Sequence, residues 1–223
     1  MVYTASVWYI LRNVKLFMEH WINTIQNIDC LEGLKKLPAS SIDCIITSPP
    51  YWALRDYGVD GQYGMEVSYQ EYLNKLWRLF NEIKRVLNNT GTCFVNLGDT
   101  YGGLKVGNTE TNKNPKVVSN TFKKERQRMP EKSLMLQAHR LAIRMIDEQQ
   151  WILRNTIIWN KPNCMPSSVK DRFSVDYEPV FFFTKSKKYF FEPQYEPILS
   201  SEKEVARQRI IGKVKSPYAT NKK

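Results

Sequence analysis

Ile42-Asp43-Cys44-Ile45-Ile46-Thr47-Ser48-Pro49-Pro50-Tyr51 is the stretch that decides the fold. Ile42 to Thr47 is a short β-branched run of the kind that forms a buried strand. Pro49 and Pro50 cannot donate to a sheet ladder, so the chain leaves the sheet there. Ser48-Pro49-Pro50-Tyr51 therefore sits at the carboxyl end of a strand, where open α/β sheets bind their ligands.

Outward from this stretch, strand-like and helix-like patterns alternate. Ile22 to Ile28 alternates apolar and polar residues and predicts a half-buried strand. Leu31 to Leu37 predicts a short helix ending before Pro38. Tyr69 to Leu87 carries an apolar face at three- and four-residue spacing, with Ser68 and Glu71 as a capping box. Asn88, Asn89 and Gly91 are its expected stop. Thr92 to Leu97 predicts a strand, Ser133 to Gln150 a helix, and Trp151 to Trp159 another strand. Glu178 to Thr184 and Lys188 to Phe191 read as a hairpin over a turn at Ser186. Such alternation predicts an α/β fold, its sheet mostly parallel with an antiparallel hairpin at one edge.

Composition narrows the class. Of 223 residues, 42% are hydrophobic and 25% charged, which is the balance of a globular chain with a core. No apolar run approaches the ~20 residues that span a bilayer, so no membrane partner is expected. Cys30, Cys44, Cys93 and Cys164 form no C-x-x-C pair, and His20 and His139 lie far from them, so no metal site is expected. Three of the four cysteines fall in apolar segments and read as small core residues of a cytoplasmic protein. Residues 1–20 read as an extension, and ordered patterning begins at Trp21. Met18 is accordingly an expected alternative start, and the apolar stretch Val7 to Leu11 is not flanked as a signal peptide would be.

The net charge is +11, which points to a polyanionic partner. Residues 102–132 carry eight Lys/Arg against three Glu, and residues 200–223 carry seven against two, each a net +5. The charge is thus concentrated in one long loop and a basic tail around a near-neutral body. A solvated loop has this composition, and so does a phosphate-contacting segment.

The tetrapeptide carries the chemistry. Its prolines remove two N–H donors, so the local polar groups are mainly acceptors. The Ser48 hydroxyl and a prolyl carbonyl can both accept from an exocyclic NH₂ group, and Tyr51 offers a face for stacking on a planar base. A plain proline turn after a strand has the same sequence. The context decides between them.

Several ordered blocks between about Thr24 and Pro197 resemble the permuted β-class of S-adenosylmethionine-dependent DNA amino-methyltransferases. These blocks are Asp29-Cys30-Leu31-Glu32, the tetrapeptide with Trp52 to Gly58, and Gly61-Gln62-Tyr63-Gly64. They continue with Asn96-Leu97-Gly98-Asp99-Thr100-Tyr101, Ile157 to Arg172, and Tyr177-Glu178-Pro179 with Phe181 to Lys185. The resemblance implies an incomplete Rossmann-like methyltransferase sheet, residues 21–199 forming the target-base part. It also implies methyl transfer to an amino group of a flipped base in double-stranded DNA, in a restriction-modification setting. Ser48, Pro49, Pro50 and Tyr51 are the implied catalytic residues. Asp29 is the implied cofactor contact, although Ile28 stands where the family often has glycine. Arg55, Lys161 and Arg172 are candidate DNA contacts, and Trp52 is another candidate that fits the core equally well. Asp99 either faces the pocket or caps the following loop. Serine in the first motif position resembles the cytosine-N4 group; adenine-N6 members more often carry aspartate. Carbon-5 methylation lacks its Pro-Cys nucleophile, and a deaminase lacks H-x-E and P-C-x-x-C.

The ten glycines include no G-x-G pair, and after Gly107 only Gly212 follows. The family's cofactor glycine loop is therefore expected outside these residues, with 200–223 as the start of a target-recognition region. Three expectations follow: a truncated methyltransferase, half of a split enzyme completed by a second polypeptide, or a DNA-binding remnant without catalysis. In the family's sheet the strand before the tetrapeptide pairs with a cofactor strand, and without that strand its edge is bare.

Overall fold

A computed structural model describes residues 19–102, 130–164 and 169–194. Two compact units divide at Phe190/Phe191, and the second is described only over 191–194. The elements of the first unit are α1 (Cys30–Lys36), β1 (Ile42–Thr47), α2 (Tyr69–Val86), β2 (Leu87–Asn96), α3 (Gln137–Gln149), β3 (Ile152–Asn160) and β4 (Tyr177–Thr184).

The sheet order is β1-β2-β4-β3. β1 and β2 are parallel, and β4 is antiparallel to both β2 and β3. Three strands therefore run one way and β4 alone runs against them. The α/β expectation holds, with one correction: the reversed strand lies inside the sheet, and its antiparallel edge partner is β3. The expected second hairpin arm, Lys188 to Phe191, is not a strand. Both edges of β4 are already taken by β2 and β3, and the chain after it folds back, with the Phe190 amide donating to the Thr90 carbonyl at 2.9 Å.

Ile22 to Ile28 is also not a strand. The Gln26 amide and the Thr24 hydroxyl both donate to the His20 carbonyl, at 3.1 Å each, which curls the segment, and Ile25 is fully exposed. Helix α2 forms as expected, with Ser68 accepting from the Glu71 amide at 3.2 Å. It does not need Asn88, Asn89 or Gly91 to stop it. Leu87 turns extended and the chain enters β2 directly. Helix α3 starts four residues later than Ser133, because Leu134 bridges to Tyr101 and Leu136 adopts a left-handed turn at φ 55°.

Burial of α2 and α3 against one face of the sheet makes the core. Tyr72, Leu76 and Phe80 of α2 meet Met135, Leu141 and Met145 beside α3, over Val95, Phe181 and Phe183 of the sheet. Burying each such side chain is worth about 1.5–3 kcal/mol against leaving it in water. The outer edge of β1 has no partner strand among the described residues, and Ile46 there is 81% exposed. No described helix is long and apolar enough to cross a membrane.

The topology has one consequence for chemistry. The carboxyl ends of β1, β2 and β3 and the amino end of β4 share one edge of the sheet. Ser48, Asn96, Lys161 and Glu178 are the residues at or just beyond those ends. Residues 1–18, most of the basic loop at 102–132 and the whole of 200–223 lie outside the described residues, as does the expected start at Met18.

Candidate active site

Ser48-Pro49-Pro50-Tyr51 leaves β1 as expected and is held from three sides. The Ser48 hydroxyl donates to Asn96 Oδ1 at 3.1 Å. The Tyr72 hydroxyl donates to the Pro50 carbonyl at 2.9 Å, and burial pushes that phenol's pKa up, which keeps it a donor. One of the two prolyl carbonyls is therefore occupied, and the carbonyl of Pro49, itself a buried residue, is the one to consider for a ligand.

Tyr51 is fixed more firmly still. Its hydroxyl lies 2.8 Å from Asn96 Oδ1 and 3.0 Å from Glu178 Oε2. Burial first, with the Glu178 carboxylate adding to it, pushes the phenol up to about 12. The ring packs on the backbone of Gly98, where a Cβ would lie 2.4 Å from Tyr51 Cε2. Gly64, at φ +91°, backs the other side: a Cβ there would lie 2.7 Å from the Tyr51 carbonyl oxygen.

Lys161 pairs with Glu178. Burial alone would raise the Glu178 carboxyl, and the bonds from Lys161 and Tyr51 outweigh it, holding the group below the usual carboxylate range. The Asn96 amide nitrogen donates to the Pro179 carbonyl at 3.3 Å. Strand ends β1, β2 and β4 and the start of the β3–β4 connection are thereby tied around one tyrosine.

Cavities open on both sides of the tetrapeptide. A cavity of about 530 Å³ lies between α1, β1 and the tetrapeptide and is lined mainly by apolar side chains. A second, of about 310 Å³, is lined by the tetrapeptide with Leu54, Arg55, Tyr57 and Glu178. Both include Ser48, Pro49 and Pro50 in their walls. A third, of about 380 Å³, lies beyond Tyr51 and holds Lys161, Arg172, Asp99 and Tyr177. These volumes fall in the range of small-ligand sites.

The other expected site residues divide. Arg55 lines the 310 Å³ cavity. Arg172 also lies near the site, its guanidinium 4.1 Å from the centre of the Tyr101 ring. Lys161 faces Glu178 beside Tyr51, so its charge is engaged within the site. Trp52 corrects the expectation of a DNA contact: it is 0% exposed, and its indole donates to the Glu66 carbonyl at 3.0 Å. Asp29 caps α1, with Oδ1 accepting from the Leu31 and Glu32 amides at 2.9 and 3.1 Å. Asp99 resolves to a cap, accepting from Leu136 and Gln137 at the start of α3 at 2.8 and 3.2 Å, while still lining the third cavity.

Asn96, Glu178 and Tyr72 had no role assigned from sequence. The signal for the first two was a polar residue abutting an apolar strand, Thr92-Cys93-Phe94-Val95-Asn96 and Tyr177-Glu178-Pro179-Val180-Phe181. Tyr72 gave no such signal, because its ring belongs to the apolar face of α2.

A family profile described as DNA methylase matches residues 42–222. The chain is similar to the type II methyltransferase M.XycI of Xanthomonas campestris pv. cyanopsidis, 43% identical over 77% of this chain and 57% of that protein. It is similar to M.Cfr9I of Citrobacter freundii, 44% identical over 74% of this chain and 55% of that one. The chain thus spans little more than half the length of these relatives. Its fold resembles the PvuII DNA methyltransferase, described as cytosine-N4-specific, with TM-score 0.53 and 21% identity over 83% of this chain and 61% of that one.

Proposed function

The chain belongs to the DNA methylase family, and on that premise we propose that its tetrapeptide holds the exocyclic amino group of a flipped base in double-stranded DNA for methyl transfer from S-adenosylmethionine. The observation that carries this reading is the shared wall. Ser48, Pro49 and Pro50 border a largely apolar cavity on one side and a more mixed one, with Arg55 and Glu178, on the other. A group in each cavity would meet at the same two acceptors. The base would enter the 310 Å³ side and stack on Tyr51, at a flipping cost of a few kcal/mol. The Ser48 hydroxyl and the Pro49 carbonyl would accept from its amino group, turning the nitrogen lone pair toward the other cavity. When bound, S-adenosylmethionine supplies a methyl group on a sulfonium centre. Asp29, the proposed contact to that cofactor, caps α1 through Oδ1 and stands in sequence between Ile28 and Cys30 of the 530 Å³ cavity's mainly apolar wall. Ser48 and the Pro49 carbonyl would hold the nitrogen throughout, as the cofactor's methyl group passes to it and the carbon–sulfur electron pair stays with sulfur, and the methylated amine would release one N–H proton to water.

Cytosine-N4 is the proposed target, carried by serine in the first motif position and by the resemblance to relatives of restriction-modification systems. Adenine-N6 is the alternative. Arg55 and Arg172 are the proposed contacts to DNA phosphates at the rim, together with the basic stretches at 102–132 and 200–223. The proposed setting is the cytoplasm. The experiment is methyl transfer to duplex DNA by the complete enzyme, with nucleoside mass spectrometry of the product. N4-methylcytosine is expected, and Ser48→Ala or Tyr51→Ala should lower the rate by about 10²-fold or more. N6-methyladenine would move the assignment to adenine, and undiminished rates in both variants would remove the tetrapeptide from the mechanism.

A second reading is favoured by the bare outer edge of β1 and by the 55–57% coverage of the relatives. In it, the cofactor site is completed by a further polypeptide segment pairing with β1. Calorimetry with S-adenosylmethionine tests it. Binding by these 223 residues alone would oppose it, and binding only after the missing segment is added would support it.

A further inference from the structure

The polar groups at the sheet edge form one chain of donors and acceptors, and its direction is set at one end. Lys161 has only protons to give, and Glu178 accepts from it. Tyr51 has one hydroxyl proton and two acceptors in reach, Glu178 Oε2 at 3.0 Å and Asn96 Oδ1 at 2.8 Å. The orientation of the Asn96 amide is fixed by its other end, where Nδ2 donates to the Pro179 carbonyl. A charged carboxylate is a stronger acceptor than an amide oxygen, so the Tyr51 proton belongs to Glu178. Ser48 then has two inward acceptors, Asn96 Oδ1 3.1 Å away and the oxygen of Tyr51. A serine that donates inward turns its lone pairs outward.

Resting on the reading that Ser48 faces the target base, we infer that the Glu178–Lys161 pair is a positioning device that keeps Ser48 an acceptor toward the cavity, and thereby selects an exocyclic amine over a carbonyl at that point of the base. Cytosine and uracil differ at this point in just that way, and so do adenine and hypoxanthine. With glutamine in place of Glu178, the charge is gone and the amide can donate as well as accept. The Tyr51 hydroxyl then turns to Asn96 Oδ1 while the glutamine amide can donate to the Tyr51 oxygen, so Ser48 must share both of its inward acceptors. The freed serine proton can point into the cavity, where it would welcome a carbonyl. A site built to bond a donor rejects an analogue lacking it strongly, because its own acceptors are left facing acceptors.

Two measurements separate this inference from the function it rests on. The first needs no DNA. Tyrosines labelled at Cζ with ¹³C are titrated by NMR in the wild type, in Tyr51→Phe for assignment, and in Glu178→Gln and Glu178→Asp. The ionisable groups facing Tyr51 are Glu178 and Tyr177 on β4, Lys161 after β3, Asp99 and Tyr101 after β2, Tyr72 on α2, His139 on α3, Arg55 and Tyr57 beyond the tetrapeptide, and Arg172. At about pH 10.5, just above the ordinary tyrosine midpoint, wild-type Tyr51 should remain un-ionised. Burial, the larger cause, remains in Glu178→Gln, so over the full titration its Tyr51 midpoint should fall below the wild type's while staying above the ordinary tyrosine value, with Glu178→Asp in between. An unchanged Tyr51 signal in Glu178→Gln, with the rest of the spectrum preserved, overturns the proton assignment.

The second is a competition by fluorescence anisotropy. The probes are short duplexes, each carrying one cytosine or one uracil opposite an abasic site. The wild type should favour cytosine by about tenfold or more, and Glu178→Gln and Lys161→Met should narrow the preference to within about twofold. An equal preference in wild type and variants overturns the selection role. If neither duplex is bound, the proposed function and the selection role fall together, while the titration still decides the hydrogen-bond direction.

Discussion

Tyr51 packs so closely on Gly98 that a methyl group at residue 98 would stand 2.4 Å from the ring carbon Cε2 and 2.7 Å from Cδ2. The ring cannot yield without disturbing its hydroxyl's contacts with Asn96 and Glu178. Gly98→Ala should therefore displace Tyr51 and not merely perturb a loop. The expected cost is about 1–3 kcal/mol of stability from overpacking. Base binding should fall as it does in Tyr51→Ala. Urea unfolding measures the first, and equilibrium binding to duplex DNA the second. A variant of wild-type stability and affinity would show that the ring has room.

Tyr72→Phe removes the one donor to the Pro50 carbonyl while keeping the buried ring. Loss of such a bond costs about 0.5–1.5 kcal/mol. Pro50 lines both cavities, so loosening its peptide would disturb the backbone that presents the Pro49 carbonyl. A larger loss in methyl-transfer rate than in stability is expected, read from kcat of the complete enzyme beside a denaturation curve.

Glu178 makes stability depend on acid. Its carboxyl titrates below the usual range when folded, because Lys161 and Tyr51 outweigh the effect of burial. The unfolded chain titrates near 4.5. The stabilisation is therefore fully present above the unfolded value and is lost as pH falls from there through the lower folded value. In Lys161→Met the largest bond holding the carboxylate ionised is gone. Unfolding free energies measured between about pH 3 and 6 should fall with acid in the wild type, and the part contributed by Glu178 should shrink or reverse in the variant. Parallel curves for the two proteins would show that the pair does not matter to stability.

Trp52 and Arg55 are three residues apart and should behave oppositely. Trp52→Phe empties space in the core and removes the bond to Glu66, so it should cost about 1–3 kcal/mol and leave the affinity of the folded protein for DNA unchanged. Arg55→Ala should leave stability within about 0.5 kcal/mol, weaken binding, and reduce the slope of log K against log salt by about one. An unchanged salt slope would take Arg55 off the phosphate backbone.

The stretch Ile42 to Tyr51 reads correctly as a strand and its exit because those roles are local, but the expected burial is not there: Asp43, Cys44 and Ile46 are exposed. β-Branched residues make the strand, and prolines end it. Helix α2 is legible for the same reason, its capping serine and its apolar spacing both lying within the element. Ile22 to Ile28 misleads because its alternation matches a strand, and among the described residues no strand pairs with it. The hairpin at Ser186 misleads through proximity in sequence: β4 takes its partners from β2 and β3, and only the three-dimensional order reveals that both its edges are full. In the site, the tetrapeptide is visible because its backbone chemistry is written in its residue types. Glu178 and Asn96 are 82 positions apart and meet only at a strand end. Trp52 sits next to Tyr51, and sequence cannot tell which of two adjacent aromatic rings turns inward.

The uncovered edge of β1 makes alignment a matter of ladder register. A strand joining there would be locked by backbone bonds, in steps of about 3.3 Å along the strand, and a slip of one position would turn its side chains to the other face. Whatever that strand carries at its carboxyl end is thereby set opposite Ser48 in discrete increments. The distance between the two reactants would then be fixed by counting residues along the sheet, before any side chain adjusts it.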